Sequence, residues 1–200
     1  IFLHSGVIHM FITIAFIINS KSVEIETGLW RSFFVFFLSG IFGYILSCLL
    51  IPEMVSCGAT GCGFGFIGLQ LSDLISSWRM KKNPGRSLGI LLVSILIGVI
   101  LGLTPYLDNF CNLGGLIMGG LFALMLLPNI TFGNFERICR GFIAFIAFPI
   151  TTVLFCFGMV IFYRRIDGNT WCTWCTKINC ININKWCPNI TESEVVEYHI

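Results

Sequence analysis

The sequence predicts an all-α, polytopic membrane bundle, and three observations predict it. Of 200 residues, 56% are hydrophobic and only 11% charged, with a mean hydropathy of +0.89; a soluble globular domain carries about 25% charged residues. Six apolar runs, roughly 5–19, 30–50, 60–78, 88–104, 110–128 and 141–163, approach the length of about 20 residues, and no less than about 17, that a helix needs to cross a bilayer. Short connectors between them hold most of the charge, Gly and Pro. The net charge of +2 is too small and too scattered to suggest a nucleic-acid partner.

The first run starts almost at Ile1, which is not Met, and this predicts a fragment that lacks its natural start, with six visible spans of an expected seven. The run carries His9 and Thr13, and a polar group such as the His9 imidazole must find a partner in a bundle surrounded by lipid, whereas His4, just before the run, reads as lying at the outer interface. Glu24 and Glu26 read as a charged turn near Lys21 and Arg31, and Trp30 and Trp78 as interfacial anchors. The second span, 30–50, is almost wholly apolar.

The third span opens on a glycine run, Cys57-Gly58-Ala59-Thr60-Gly61-Cys62-Gly63-Phe64-Gly65-Phe66-Ile67-Gly68. Five glycines in eleven residues each cost a helix about 1 kcal/mol relative to Ala, so they need a packing or backbone reason. Gly61 and Gly65 form a small-xxx-small pair, and Gly115 and Gly119 in the fifth span form a second. Such faces let two helix backbones approach closely. One reading is helix packing alone; the sharper one is that the pairing brings Thr60, at the start of one helix, against Asn112, at the start of the other. Asp73 falls near the far end of the third span among Ser72, Ser76 and Ser77, and Asp108 and Asn109 suit the N-terminus of the fifth. The fourth span holds no ionisable group beyond Arg86 at its approach.

Orientation follows from Lys and Arg. Lys21, Arg31, Arg79, Lys81, Lys82, Arg86, Arg137 and Arg140 lie on one side, whereas connectors 51–59 and 105–109 on the other hold none. The basic side is therefore expected to be cytosolic, with Thr60, Asn112 and the tail beyond residue 163 facing the lumen or exterior; Arg164 and Arg165 run against this.

The tail, 164–200, reads as a separate cysteine-rich segment after a membrane domain at 1–163. Cys172, Cys175, Cys180 and Cys187 put four of the ten cysteines in sixteen residues. The cluster is either a zinc site or a disulfide framework; its spacing fits zinc knuckles poorly, and an even number on the oxidising side favours two disulfides. Asn189-Ile190-Thr191 is a glycosylation acceptor usable only on that side, and Asn129-Ile130-Thr131 would be silent. Trp171 and Trp174 read as further interfacial residues. The six remaining cysteines are small hydrophobes without assigned chemistry. No cofactor or metal is expected.

Three motifs, in order, resemble a known family. Gly58-Ala59-Thr60-Gly61 resembles the Gly-x-Ser-Gly of rhomboid intramembrane serine proteases, Asp108 to Gly115 their Asp-Asn-x-x-His-x-Gly-Gly, and His4 to Thr13 their His-x-x-x-x-His-x-x-x-Asn. The tail is similar to the Cys-x-x-Cys-rich extension of some eukaryotic members. The resemblance implies a rhomboid-like bundle with serine-type endopeptidase ancestry and a cavity opening outward. It also marks three departures: Thr60 stands at the nucleophile position, Asn112 at the base position, and Thr13 at an oxyanion position beside His9. A Thr methyl restricts its hydroxyl, and an amide cannot take a proton. The expected function is a pseudoprotease that binds transmembrane or membrane-tethered clients and affects their trafficking or degradation, in the endomembrane system or plasma membrane. The alternative is an active intramembrane endopeptidase using Thr60 with an unconventional partner; His9 is the one remaining imidazole nearby, its other role being a hydrogen bond within the bundle. A transporter or channel is disfavoured, since neither an internal repeat nor a chain of intramembrane charges is visible.

Overall fold

A computed structural model describes residue 4 and residues 6–51, 57–103, 107–127 and 134–164, with Cys172, Trp174 and Cys175 beyond them. The described residues form seven helices: α1 (Val7–Asn19), α2 (Lys21–Thr27), α3 (Leu29–Leu50), α4 (Thr60–Ser76), α5 (Pro84–Leu101), α6 (Asn109–Leu126) and α7 (Asn134–Tyr163). Four of them, α3, α5, α6 and the stretch Arg137–Tyr163 of α7, are long and apolar enough to cross a membrane. With 13 and 17 residues, α1 and α4 are shorter.

Each expected span coincides with a helix, with two differences at charged edges. The 20–28 segment is not a simple turn, because Lys21–Thr27 forms α2, which ends where Gly28 takes φ +89° and donates its N–H to Glu24 O at 2.8 Å. The last helix begins at Asn134 rather than 141 and runs 30 residues. Arg140, inside that extension, donates from Nη2 to Ser76 O at 3.2 Å and so ties the start of α7 to the end of α4.

The centre of the bundle is the α4–α6 seam, made of backbone. A Cβ placed on Gly115 would overlap Gly61 O, one on Gly119 would overlap Gly65 O, and one on Gly68 would overlap Leu116 O. Small-residue faces let helices meet at this separation, where dispersion contacts replace a hydrophobic driving force that lipid does not provide. Against this seam packs α3, with Ser39 Oγ occupying the space a side chain at Gly65 would need. Below it lies a core of Val35, Phe42, Phe66, Leu69, Met118, Phe122 and Ala123. Helix α7 leans on α3 and α6, α5 on α4, and α1 on α4. Outward faces are apolar, as in Phe145 at 76% exposure and Leu96 at 58%, which suits a lipid solvent and not water.

Two polar expectations sharpen. Asp73 accepts from Ser77 Oγ at 3.3 Å and pairs with Lys81 Nζ at 2.9 Å, while Ser72 turns to Gly120 O at 3.3 Å. Asp108 caps α6 by accepting from the Phe110 N–H at 2.8 Å. Trp30 and Trp78 are exposed, at 74% and 42%.

Beyond α7, Cys172 and Cys175 are joined by a disulfide, and both are buried against Ile51 at the end of α3 and Phe110 at the start of α6, beside Leu50. Trp174 is exposed at 59%. Trp171, Cys180, Cys187, Asn189, Asn129 and Arg165 lie outside the described residues, as does the side chain of Glu26. The bonded pair is expected to escape a maleimide reagent until a reductant is added. Mass-spectrometric labelling of Cys172 or Cys175 without reductant would contradict the bond.

Candidate functional site

The turn that leads into α4 is clamped from two sides. Gly58 has φ +111°, a left-handed conformation that L side chains rarely adopt. A Cβ there would also lie 2.5 Å from Cε1 and 2.7 Å from Nε2 of His9, so the imidazole rests directly on the glycine. From the other side, the Tyr44 hydroxyl of α3 donates to Gly58 O. The turn is thus positioned by α1 and α3 before α4 begins.

Helix α4 starts at Thr60, with Ala59 as N-cap and no side-chain cap. Ala59 and Thr60 are buried, at 4% and 9% exposure. The N–H groups of the first helical turn have no partner within the helix. In serine-hydrolase chemistry such donors stabilise an oxyanion.

Asn112 lies in the first turn of α6, its N–H donated to Asp108 O at 3.2 Å. It is 3% exposed, and its Oδ1 has no hydrogen-bond partner among the described residues. Its neighbour Cys111 locks it into register: a Cβ on Gly61 would sit 2.6 Å from Cys111 Sγ, and one on Gly43 would sit 2.5 Å from Cys111 O. Helices α3, α4 and α6 therefore meet at Cys111, and the residue after Thr60 touches the residue before Asn112.

The oxyanion-region residues stand apart from this contact. Thr13 Oγ1 donates back to His9 O at 3.0 Å within α1, so its one proton is spent on its own helix. His9 is buried at 5% and meets His4 edge to face, ring centroids 5.2 Å apart. Of the sequence-chosen residues, then, Thr60, Gly61, Gly65, Asn112, Gly115 and Gly119 cluster at and along one seam, and His9 joins through Gly58. Tyr44 and Cys111 were not singled out from sequence. A lone phenol within an otherwise apolar span was the available signal for Tyr44; nothing in the spacing marks Cys111.

A hydroxyl at the head of one helix, beside the head of another, under a turn set by a left-handed glycine, is the layout that the three sequence motifs describe. Residues 1–129 match the rhomboid domain. The chain belongs to the rhomboid family. It is 30% identical to RHOMBOID-like protein 4 of Arabidopsis thaliana over 202 residues, which cover 94% of this chain and 51% of the relative. With RHOMBOID-like protein 2 of the same plant the identity is 31% over 197 residues, covering 92% and 62%. It is also 29% identical to Inactive rhomboid protein 1 of Callithrix jacchus over 189 residues, covering 94% of this chain but 22% of that protein. The chain thus spans between half and two thirds of these plant relatives. In this rhomboid-family protein, α1 to α6 fall inside the matched domain, whereas α7 and the bonded cysteines follow it.

Proposed function

We propose that this rhomboid-family membrane protein is a pseudoprotease that engages transmembrane or membrane-tethered clients without cutting them. The observation that carries the reading is Asn112: a carboxamide in the place where the reaction needs a base. An amide oxygen has no useful basicity, so Thr60 cannot pass its proton there. Thr13, with its proton held by His9 O, adds nothing to the reading of an intact oxyanion site. What persists is a buried helix start and an amide acceptor without a hydrogen-bond partner among the described residues, both of which suit holding a polypeptide segment. Trafficking or degradation of such clients, and residence in the endomembrane system or plasma membrane, belong to the same proposal, as does the division into a membrane domain at 1–163 and an outer tail at 164–200.

The test is binding without cleavage. The protein in liposomes should transfer energy to a fluorophore on a single-span peptide, and the peptide recovered afterwards should have its full mass. A peptide that neither associates nor changes would sink the client reading.

The alternative, an endopeptidase with Thr60 as nucleophile and His9 as base, draws on the imidazole that rests on Gly58, two residues before Thr60. Orientation is open to a separate check. A tunicamycin-sensitive glycan is expected at Asn189 and not at Asn129; a glycan mapped to Asn129 would reverse the orientation.

A further inference from the structure

One small turn is seated on the ends of two helices. Cys172 and Cys175 are buried against Ile51, which caps the end of α3, and Phe110, in the first turn of α6, with Leu50 alongside. The turn is closed twice: by the Cys172–Cys175 bond, and by the Cys175 N–H, which donates to Cys172 O at 3.2 Å. Trp174, between the two cysteines in sequence, is exposed.

What the bond can stabilise follows from its span. A disulfide acts mainly by closing a loop, and contributes more as the loop lengthens. This one joins residues three apart in sequence, so it ties no helix to another. The α4–α6 seam is backbone on backbone and is made without it. What the bond does hold is the shape of the turn. Joined, the two sulfurs present one apolar surface to Ile51 and Phe110; as separate thiols they take independent rotamers.

The same seat contains the start of α6. Asp108 is buried, and its Oδ1 accepts from the Phe110 N–H at 2.8 Å. Cys111 then meets α3 and α4 at Gly43 and Gly61, and Asn112 completes the turn. A first helical turn has no intrahelical partners for its N–H groups. Water admitted beside Phe110 would compete with Asp108 for that N–H, and the turn would fray.

From this placement we propose that the Cys172–Cys175 turn is a redox-operated latch. Joined, it seats on α3 and α6 and covers the start of α6; reduced, it leaves the seat and frees that start. The reductant is a dithiol, either a Cys-x-x-Cys protein or a small equivalent. The seated pair is shielded, so attack falls in the moments when the turn lifts. A thiolate of the reductant attacks the sulfur of Cys172, which at 9% exposure is less buried than Cys175 at 2%. Cys175 leaves as a thiolate and takes up a proton. The second thiol of the reductant then attacks the mixed disulfide, and Cys172 leaves in the same way. Two electrons and two protons have passed to the pair, and the reductant carries the new disulfide. Removing so short a closure should raise the open population by about tenfold.

Hydrogen–deuterium exchange of the full chain in lipid nanodiscs, with and without dithiothreitol, tests the latch. Reduction should speed exchange at Phe110–Leu113 by about tenfold, while Phe64–Leu69 of the seam keep their rate. Cys172→Ser/Cys175→Ser should exchange fast at the start of α6 with or without dithiothreitol, and Cys180→Ser/Cys187→Ser should respond as the parent does. No rise on reduction would overturn the proposal. A rise that includes the seam, or failure of the C172S/C175S chain to fold, would overturn it by making the bond a staple of the whole bundle. A response that survives in C172S/C175S, or is lost in C180S/C187S, would assign the effect to another bond and overturn it equally.

Discussion

Leucine at Gly119 is expected to abolish the folded bundle, and leucine at Gly61 to do nearly the same. A single Cβ at Gly119 already overlaps the carbonyl of Gly65, and at Gly61 it meets Cys111 Sγ at 2.6 Å and Cys111 O at 3.1 Å. Overpacking a core against flexible side chains costs about 1–3 kcal/mol. Here the obstacle at Gly119 is backbone, which has no rotamer to change, so the two helices must move apart along their whole length. A separation at the centre also lifts α3 from both. The cost should exceed that range and consume much of a stability of about 5–15 kcal/mol. Gly89 of α5 provides the control, since a Cβ there meets nothing within 4 Å. Thermal melting in detergent, followed by circular dichroism and gel filtration, should separate Gly119→Leu from Gly89→Leu by tens of degrees or by outright aggregation. Indistinguishable melting curves would refute the seam as the centre of the fold.

The second large effect is an absence of turnover: the purified protein should cleave a fluorogenic transmembrane substrate in liposomes no faster than Thr60→Ala. On the proposed reading both halves of the proton transfer lack support, because it puts Thr60, a hindered secondary hydroxyl, in the nucleophile's place and Asn112, an amide, in the base's. Losing one member of such a constellation typically costs several orders of magnitude, and the losses do not add. Thr60→Ser alone, or Asn112→His alone, should therefore stay at background. The double variant should give measurable cleavage, reduced by about 10²–10³ for the missing oxyanion donor, because Thr13 is turned to His9 O. Cleavage by the unmodified chain that vanishes in Thr60→Ala would establish the protease reading and end the pseudoprotease one.

The sequence read well wherever one physical quantity dominates. Apolar runs are long because lipid demands it, so α3 at Leu29–Leu50 and α6 at Asn109–Leu126 begin and end within two residues of the expected spans. The glycine faces were legible because nothing except close approach justifies so many glycines in a helix. Charged helical segments were not legible by the same rule: Lys21–Thr27 and Asn134–Arg140 form helix, but their charges hide them from a search for apolar runs. Within the site, Thr60 and Asn112 could be placed by motif spacing. Tyr44 and Cys111 could not, because each acts through a neighbour on another helix, and a single sequence does not record which helices touch.

The seat of the Cys172–Cys175 disulfide has a consequence for biosynthesis. Its walls, Ile51 and Phe110, come from helices far apart in the chain, and the cysteines themselves follow every helix described here. A ribosome makes them after all seven of these helices, so the seat can already be built when they arrive. In a chain whose α3 and α6 have not met, the pair has no apolar surface to cover it and stays open to thiol–disulfide exchange. Whether these two sulfurs are accessible is therefore a sign, readable from outside the bundle, of whether a newly made molecule has finished assembling.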